Sequence, residues 1–252
     1  MNAANRATPH FLAEAGIAPG MRVLDLGCAF GELSRLVARL TGPDGAVTGV
    51  DRNLTYLEQG RGIAPEPGAA PIHYLEADLT GDLSAIAEQP FDAIVIRRVL
   101  MYLPDPERLV AKLPALLKPG GLLAVQEHDS TGLPISTAPL PLHREVHGWI
   151  WDTVESEGGR RTMGMTLPDL LEAAGWTVAS WRAEATLIGA NETSWLGRAV
   201  RGMLPRMIAG GVVKEGDVDL DTLDARLEAE RRAAGSALIW DLAHMLAARA
   251  PA

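Results

Sequence analysis

The sequence is poor in several things, and each scarcity excludes a chemistry. It holds one cysteine, Cys28, in 252 residues. That rules out internal disulfides and any cysteine-rich zinc site, and it fits a reducing compartment such as the cytoplasm. Positive charge is short as well, with 23 Lys and Arg against 32 Asp and Glu and a formal net charge of −9. A nucleic-acid groove needs clustered basic side chains, so no nucleic-acid partner is expected. No apolar run approaches the length of a bilayer span, so no membrane partner is expected. Residues 1–15 lack the basic start and apolar core of a signal peptide. Aromatic residues make up only 5%, yet hydrophobic residues reach 47%. The core is therefore mainly aliphatic and large enough to need no metal or disulfide.

What is present centres on residues 21–34. Val23, Leu24 and Leu26 form a short apolar run that reads as a strand. The run breaks at Gly27, crosses Cys28, Ala29, Phe30 and Gly31, and enters a helical pattern marked by Leu33, Leu36, Val37 and Leu40. A strand that turns through small residues into a helix points backbone N–H groups and a positive helix end at one spot. Asp25, just before the turn, suits a ligand with an amino group or a cation better than one led by a pyrophosphate. A dinucleotide fingerprint would also need glycine at position 32, where this chain has Glu32.

The chain then alternates. A short lead-in helix over residues 3–15 precedes the first strand. Residues 46–51 form a second strand ending in Asp51, the place of a ribose-binding carboxylate in nucleotide-binding βαβ units. A helix over 53–62 follows. Residues 71–77 form a third strand closed by Asp78, and 91–96 a fourth, continuously apolar as a strand buried on both faces should be. After an amphipathic stretch over 107–117 and a sharp turn at 118–121, residues 122–127 form a fifth. This spacing predicts a parallel sheet with helices on both faces. Ligands of such sheets lie beyond the carboxyl ends of the strands. Asp25, Asp51, Asp78, Arg97 and Glu127 all fall there and should converge on one crevice. Any one of these acids could instead cap a helix, and for Asp78 both readings stay open.

These residues carry a resemblance. The stretch Val23 to Gly31 resembles the first motif of class I S-adenosylmethionine-dependent methyltransferases. Val50–Asp51, Glu76 to Asp78, Phe91–Asp92 and Leu117 to Gly121 are similar to the motifs that follow, in order. Residues 97–105, 125–129 and 164–175 are similar to bacterial small-molecule methyltransferases of the ubiquinone-biosynthesis-like group. The resemblance is dense over 20–130, thinner to about 185 and weak beyond. It implies S-adenosylmethionine as cofactor and S-adenosylhomocysteine as product. It places Asp25, Gly27, Cys28, Ala29 and Gly31 around the methionine end, Asp51 with Arg52 at the ribose, Asp78 with Leu79 at the adenine, and Arg97 beside the methionine moiety. Ala29 stands where the motif usually has a second glycine. Alanine fits there if its φ is negative, so a slightly altered loop with binding retained is expected. Cys28 reads as a small packed residue rather than a nucleophile.

The implied fold is one domain over 1–252: a Rossmann-like, seven-stranded, mostly parallel sheet, with 131–165 and 190–235 as lid or cap insertions. Residues 142–157 read as a helix with Trp149, Ile150 and Trp151, either a lid shaping an acceptor pocket or a helix packing its tryptophans on the sheet. A short helix over 167–174 and a sixth strand over 176–187 follow. Residues 193–209 read as a helix belonging to the lid or to a homodimer contact, and 218–233 as a charged helix. Residues 237–248 have a helical composition, but the fold requires an antiparallel last strand between the fifth and sixth. Context is expected to prevail there.

Methyl transfer needs no enzyme nucleophile. It needs a base only when the acceptor must lose a proton. His128, after the fifth strand, is the first candidate base, followed by His143 and His147. Glu127 and Asp129 could orient a histidine or bind a cationic acceptor, and Tyr102 could line the pocket. His143 and His147 share a helix face, but no third ligand has suitable spacing, so no metal is expected. The partner is a small-molecule acceptor. An enzyme that binds S-adenosylmethionine yet catalyses another reaction, such as a cyclisation, is the alternative.

Overall fold

The computed structural model describes residues 3–83, 86 and 89–251, with side chains from residue 7 onward. Its parallel strands are β1 (Arg22–Leu26), β2 (Ala46–Asp51), β3 (Ile72–Glu76), β4 (Phe91–Arg97) and β5 (Leu117–Asp129). They lie side by side in the order β3-β2-β1-β4-β5. Helices α1 (Ala3–Ala15), α2 (Glu32–Thr41), α3 (Leu54–Arg61) and α4 (Pro106–Lys112) lead in and connect them. The register aligns Asp25 with Gly49 and Val95, and Asp51 with Glu76. The acidic strand ends predicted from sequence therefore share one edge of the sheet.

Side chains alternate along these strands as the pleat requires. On β1, Val23 faces a core with Phe11 and Leu12 of α1 and Leu33 and Val37 of α2. Leu24 and Leu26 face the opposite core with Leu109, Val110 and Trp176.

The second half contributes β6 (Ile135–Ser136), α5 (Pro141–Ser156), α6 (Met163–Ala173), β7 (Thr177–Ile188), α7 (Leu196–Ala209), α8 (Leu223–Ala234) and β8 (Leu238–Arg249). β8 runs antiparallel between β5 and β7, as expected despite its alanine-rich composition. The physical reason is burial on both faces: Ala243, Met245 and Ala247 enter one core, while Leu246 and Ala248 enter the other. The two-residue β6 pairs with the start of β8 and makes the sheet eight-stranded, one more than predicted. The sixth helix also starts earlier than the 167–174 read from sequence, at Met163.

The first residues of β8 project past the end of β5 and, with the end of β7, carry a third core. There Leu140 and Val146 meet Ile188, Leu196, Val200, Leu223, Leu227 and Trp240. The amino end of α5 has no side-chain cap of its own. Glu230 of α8 supplies one, accepting from the backbone N–H groups of Leu142 at 2.8 Å and His143 at 3.1 Å. Among the described residues no helix is long and apolar enough to cross a membrane.

Candidate functional site

The turn after β1 is tied to β2. The N–H groups of Gly27 and Cys28 donate to the Val50 carbonyl at 2.8 and 2.9 Å. Gly27 adopts φ +73°, and a Cβ built there would lie 2.4 Å from a γ-methyl of Val99. Gly31, at φ +76°, has the Tyr74 hydroxyl 2.0 Å from the place of a Cβ. Both positions thus need glycine for backbone and space together. Ala29 departs from expectation: its φ is +47°, in the left-handed region, where negative φ had been anticipated. Its N–H donates to Asp51 Oδ2 at 2.9 Å, and this bond to a carboxylate holds the strained residue in place.

Asp25 is 1% exposed. Its Oδ2 accepts from the Ser34 hydroxyl at 2.6 Å, while Oδ1 has no partner. Burial pushes its pKa up to about 6, against the lowering effects of Ser34 and Arg97. Arg97, at the end of β4, is largely buried and donates to Glu32 Oε2 at 2.9 Å, bridging the strand to the first turn of α2. Gly31, which precedes α2, offers no side-chain cap to that helix. A buried carboxylate oxygen lacking a donor thus sits beside an amino end lacking a capping acceptor. That is the donor–acceptor complement of a zwitterionic amino-acid moiety such as the methionine end of S-adenosylmethionine.

At the neighbouring strand end, Asp51 Oδ1 accepts from the Asn53 N–H at 2.9 Å. Asp78 is exposed and accepts through Oδ1 from the N–H and hydroxyl of Thr80 at 2.9 and 2.8 Å, which holds its carboxyl below the usual range. The local-turn role left open for Asp78 is therefore real, and Arg52 faces the same carboxylate. Leu79 is buried in the core. Cys28 packs with Leu57 and Tyr74, and burial pushes its thiol pKa up, so it offers no thiolate.

The second-half candidates separate. Glu127 does not orient a histidine: Oε1 accepts from the N–H groups of Val99 at 2.9 Å and Leu100 at 2.8 Å. Burial nevertheless pushes its pKa up to about 7. Asp129 likewise accepts from the backbone of Thr131 and Met165. His143 joins α5 to α8, its Nδ1 2.6 Å from Glu230 and its Nε2 2.8 Å from Arg231, so neither ring nitrogen is left for a substrate. His147 packs edge-on to Trp240 with ring centroids 5.0 Å apart, and burial pulls its pKa down to about 4. His128 instead holds Asp241 Oδ2 at 2.7 Å through Nδ1, and its Nε2 is buried with no partner. Tyr102 lies under the Arg206 guanidinium, 5.8 Å from ring centroid, and Arg206 pairs with Glu157.

Sequence reasoning missed Asp241, Thr186, Arg98 and Arg206. Only Arg98 carried a signal, since it follows the fourth strand directly; it adopts φ +56°. The others reach the site through strand register and helix packing. Among the described residues no group of three or more His, Cys, Asp and Glu side chains could hold a metal ion.

An α/β sheet in this order, with a glycine turn after β1, a buried acid before it and an acid ending β2, is the architecture of class I S-adenosylmethionine-dependent methyltransferases. Residues 17–161 match the family model described as a methyltransferase domain, and the chain belongs to that family. It is 32% identical over 163 residues to a trans-aconitate 2-methyltransferase of Rhizobium leguminosarum, covering 65% of this chain and 59% of that protein. It is 29% identical over 219 residues to a ubiquinone biosynthesis O-methyltransferase of Xanthomonas campestris, covering 80% of this chain and 84% of the relative. A Bacillus halodurans structure described as a methyltransferase superposes with a TM-score of 0.60 over 96% of this chain and 98% of its own. At 15% identity, that likeness speaks to the fold alone.

Proposed function

We propose that this chain transfers a methyl group from S-adenosylmethionine to a small acceptor held between the carboxyl edge of the sheet and the cap made by α5, α7 and α8. When bound, the cofactor supplies a methyl carbon already activated by a positively charged sulfur. The protein's tasks are to hold, align and keep out water. Asp25 and the amino end of α2 would hold the methionine end, with Arg97 beside it. Asp51 would accept from the ribose hydroxyls, and Asp78 from the adenine amine. Of the three candidate bases, His128 is the one with a buried unpartnered nitrogen and a carboxylate behind it. The cap, with its own core, would close the site.

The observation that carries this reading is the buried, donorless Asp25 Oδ1 next to the uncapped start of α2. Calorimetric titration with S-adenosylhomocysteine tests it. Asp51→Ala should weaken binding by about 1.5–3 kcal/mol, the worth of hydrogen bonds to a charged group. Unchanged affinity would remove Asp51 from the site. S-adenosylhomocysteine should accumulate with turnover; an acceptor transformed while S-adenosylmethionine is recovered intact would favour the cyclisation-type alternative.

A further inference from the structure

We propose that the cavity between α2, α3 and β3 is a second ligand site, and that it takes a small carboxylate carried on a ring or a short branched chain. The proposal goes beyond the methyl-transfer reading and does not depend on it.

The cavity has a volume of about 180 Å³. An apolar cavity of about 150 Å³ holds a benzene molecule, so one small ring fits. Ile72 opens β3 and Tyr74 stands at its middle, which sets the cavity toward the amino ends of the strands. None of Asp25, Asp51 and Asp78 lines it. Much of the wall is apolar: Ala38 of α2, Ile63, Ala69 and Ala70 of the connection after α3, and Ile72 of β3. Ile63 is 45% exposed, so this apolar wall reaches the open side.

Two cations stand on the same wall, Arg35 of α2 and Arg61 at the end of α3. Each is held by a backbone carbonyl: Arg35 donates to the Phe30 oxygen and Arg61 to the Tyr74 oxygen, both at 2.8 Å. A carbonyl fixes a guanidinium without cancelling its charge, and five N–H donors leave each arginine with several to spare. Among the described residues neither arginine pairs with a carboxylate. Glu66, the acid on this wall, is taken by Arg39 at 2.7 Å. The Tyr74 hydroxyl is buried without a partner. Burial pushes its pKa up, and Arg35 is the charge that most opposes that rise. In a chain of net charge −9, this cavity thus gathers donors and positive charge with no anion to receive them.

The ligand class follows from the two halves of the wall. An inorganic anion would meet the arginines but leave the apolar surface uncovered. A neutral ring would cover that surface and leave both charges uncompensated. A free amino acid would bring an ammonium group for which no unpaired acid is present, in contrast to the methionine end, where Asp25 waits. A carboxylate on a small apolar body satisfies both halves: its planar oxygens match a guanidinium fork, and its carbon body leaves water.

The full chain is titrated with benzoate, benzamide and inorganic phosphate, read by calorimetry and by amide chemical shifts. S-adenosylhomocysteine is kept saturating so that the start of α2 is occupied. Benzoate should bind with a Kd on the order of 1 mM, the level open to so small a ligand. The shifts should gather at Arg35, Ala38, Arg61, Ala64 and Tyr74, and at Phe30 through its bond to Arg35. Benzamide and phosphate should each bind at least about tenfold more weakly, because each lacks one half of the recognition. Arg35→Gln and Arg61→Gln should each weaken benzoate by about 10- to 100-fold, the worth of a hydrogen bond to a charged group. Benzamide or phosphate binding as tightly as benzoate would overturn the ligand class. No saturation by about 20 mM benzoate, or shifts gathered away from the cavity, would overturn the site. If a variant fails to fold, the wild-type shift map and the benzoate–benzamide comparison decide. A chain that does not bind S-adenosylhomocysteine refutes the methyl-transfer reading instead, and the benzoate titration is then read from the shift map without it.

Discussion

Gly27→Ala isolates the physics of the turn on which the site is built. The new Cβ would lie 2.4 and 3.2 Å from the two γ-carbons of Val99 and 3.4 Å from its Cβ, on a backbone held at φ +73°. Left-handed backbone costs a residue with a Cβ about 1–2 kcal/mol. Overpacking against a constrained neighbour adds about 1–3 kcal/mol. The variant should therefore lose about 2–5 kcal/mol of unfolding free energy in urea titrations, by the sum of those two costs. Removing the obstruction separates them. In the double variant Gly27→Ala/Val99→Ala the nearest Val99-derived atom is the Cβ at 3.4 Å, an ordinary contact, while the backbone strain remains. Val99→Ala alone costs up to about 1.6 kcal/mol for two methyl groups. The double variant should thus be more stable than the sum of the single effects by about 1–3 kcal/mol. If the two changes add within about 0.5 kcal/mol, steric exclusion at Gly27 is not what the turn depends on, and the reasoning fails.

Other consequences follow from buried charge. Asp25 has its pKa raised from 3.8 to about 6, so the folded chain holds a proton that the unfolded chain has released between those values. Stability from this group is greatest below pH 4 and falls as pH rises toward 6; Asp25→Asn, which keeps an acceptor for Ser34, should flatten that slope in urea titrations at pH 4.5 and 6.5. An unaltered slope would show that Asp25 is not the group responsible. Glu127 follows the same sign up to about pH 7. Glu127→Ala should cost about 2–4 kcal/mol by leaving the amides of Val99 and Leu100 without an acceptor, and Glu127→Gln clearly less. His143→Ala should lower the melting temperature and raise hydrogen exchange in α5 and α8. Both of its ring nitrogens are engaged with α8, at Glu230 and Arg231.

Much of the sheet was legible in the residues themselves. Strands β1 to β4 are short runs closed by Gly, Pro and Asp turns, signals that depend on neighbours a few positions away. β5 instead extends from Leu117 to Asp129, through the 118–121 stretch read as a turn. Asp25 and Asp51 could be singled out for the same reason, since each closes such a run. Ala29 shows the limit within the same stretch. Its sign of φ was decided by a carboxylate 22 residues further along, which binds its N–H. Local preference could not contain that information.

The second half was harder because its elements are fixed from outside. The residues of β8 favour a helix in isolation, and only placement between β5 and β7, where small side chains fill the space on both faces, makes them a strand. The three histidines look alike in the sequence, all near the end of β5 or on one helix. Their surroundings differ: a glutamate–arginine cage for His143, a tryptophan face for His147, an aspartate 113 residues away for His128. By itself, then, the sequence determined a parallel α/β sheet and the acids along its carboxyl edge, because these depend on short-range periodicity and turn chemistry; the cofactor was implied by the resemblance of its motifs to a known family. Tertiary structure alone decided that His128 and His147 keep a buried ring nitrogen without a partner and that Asp241 stands behind His128, because those depend on strand register and burial between segments distant in the chain.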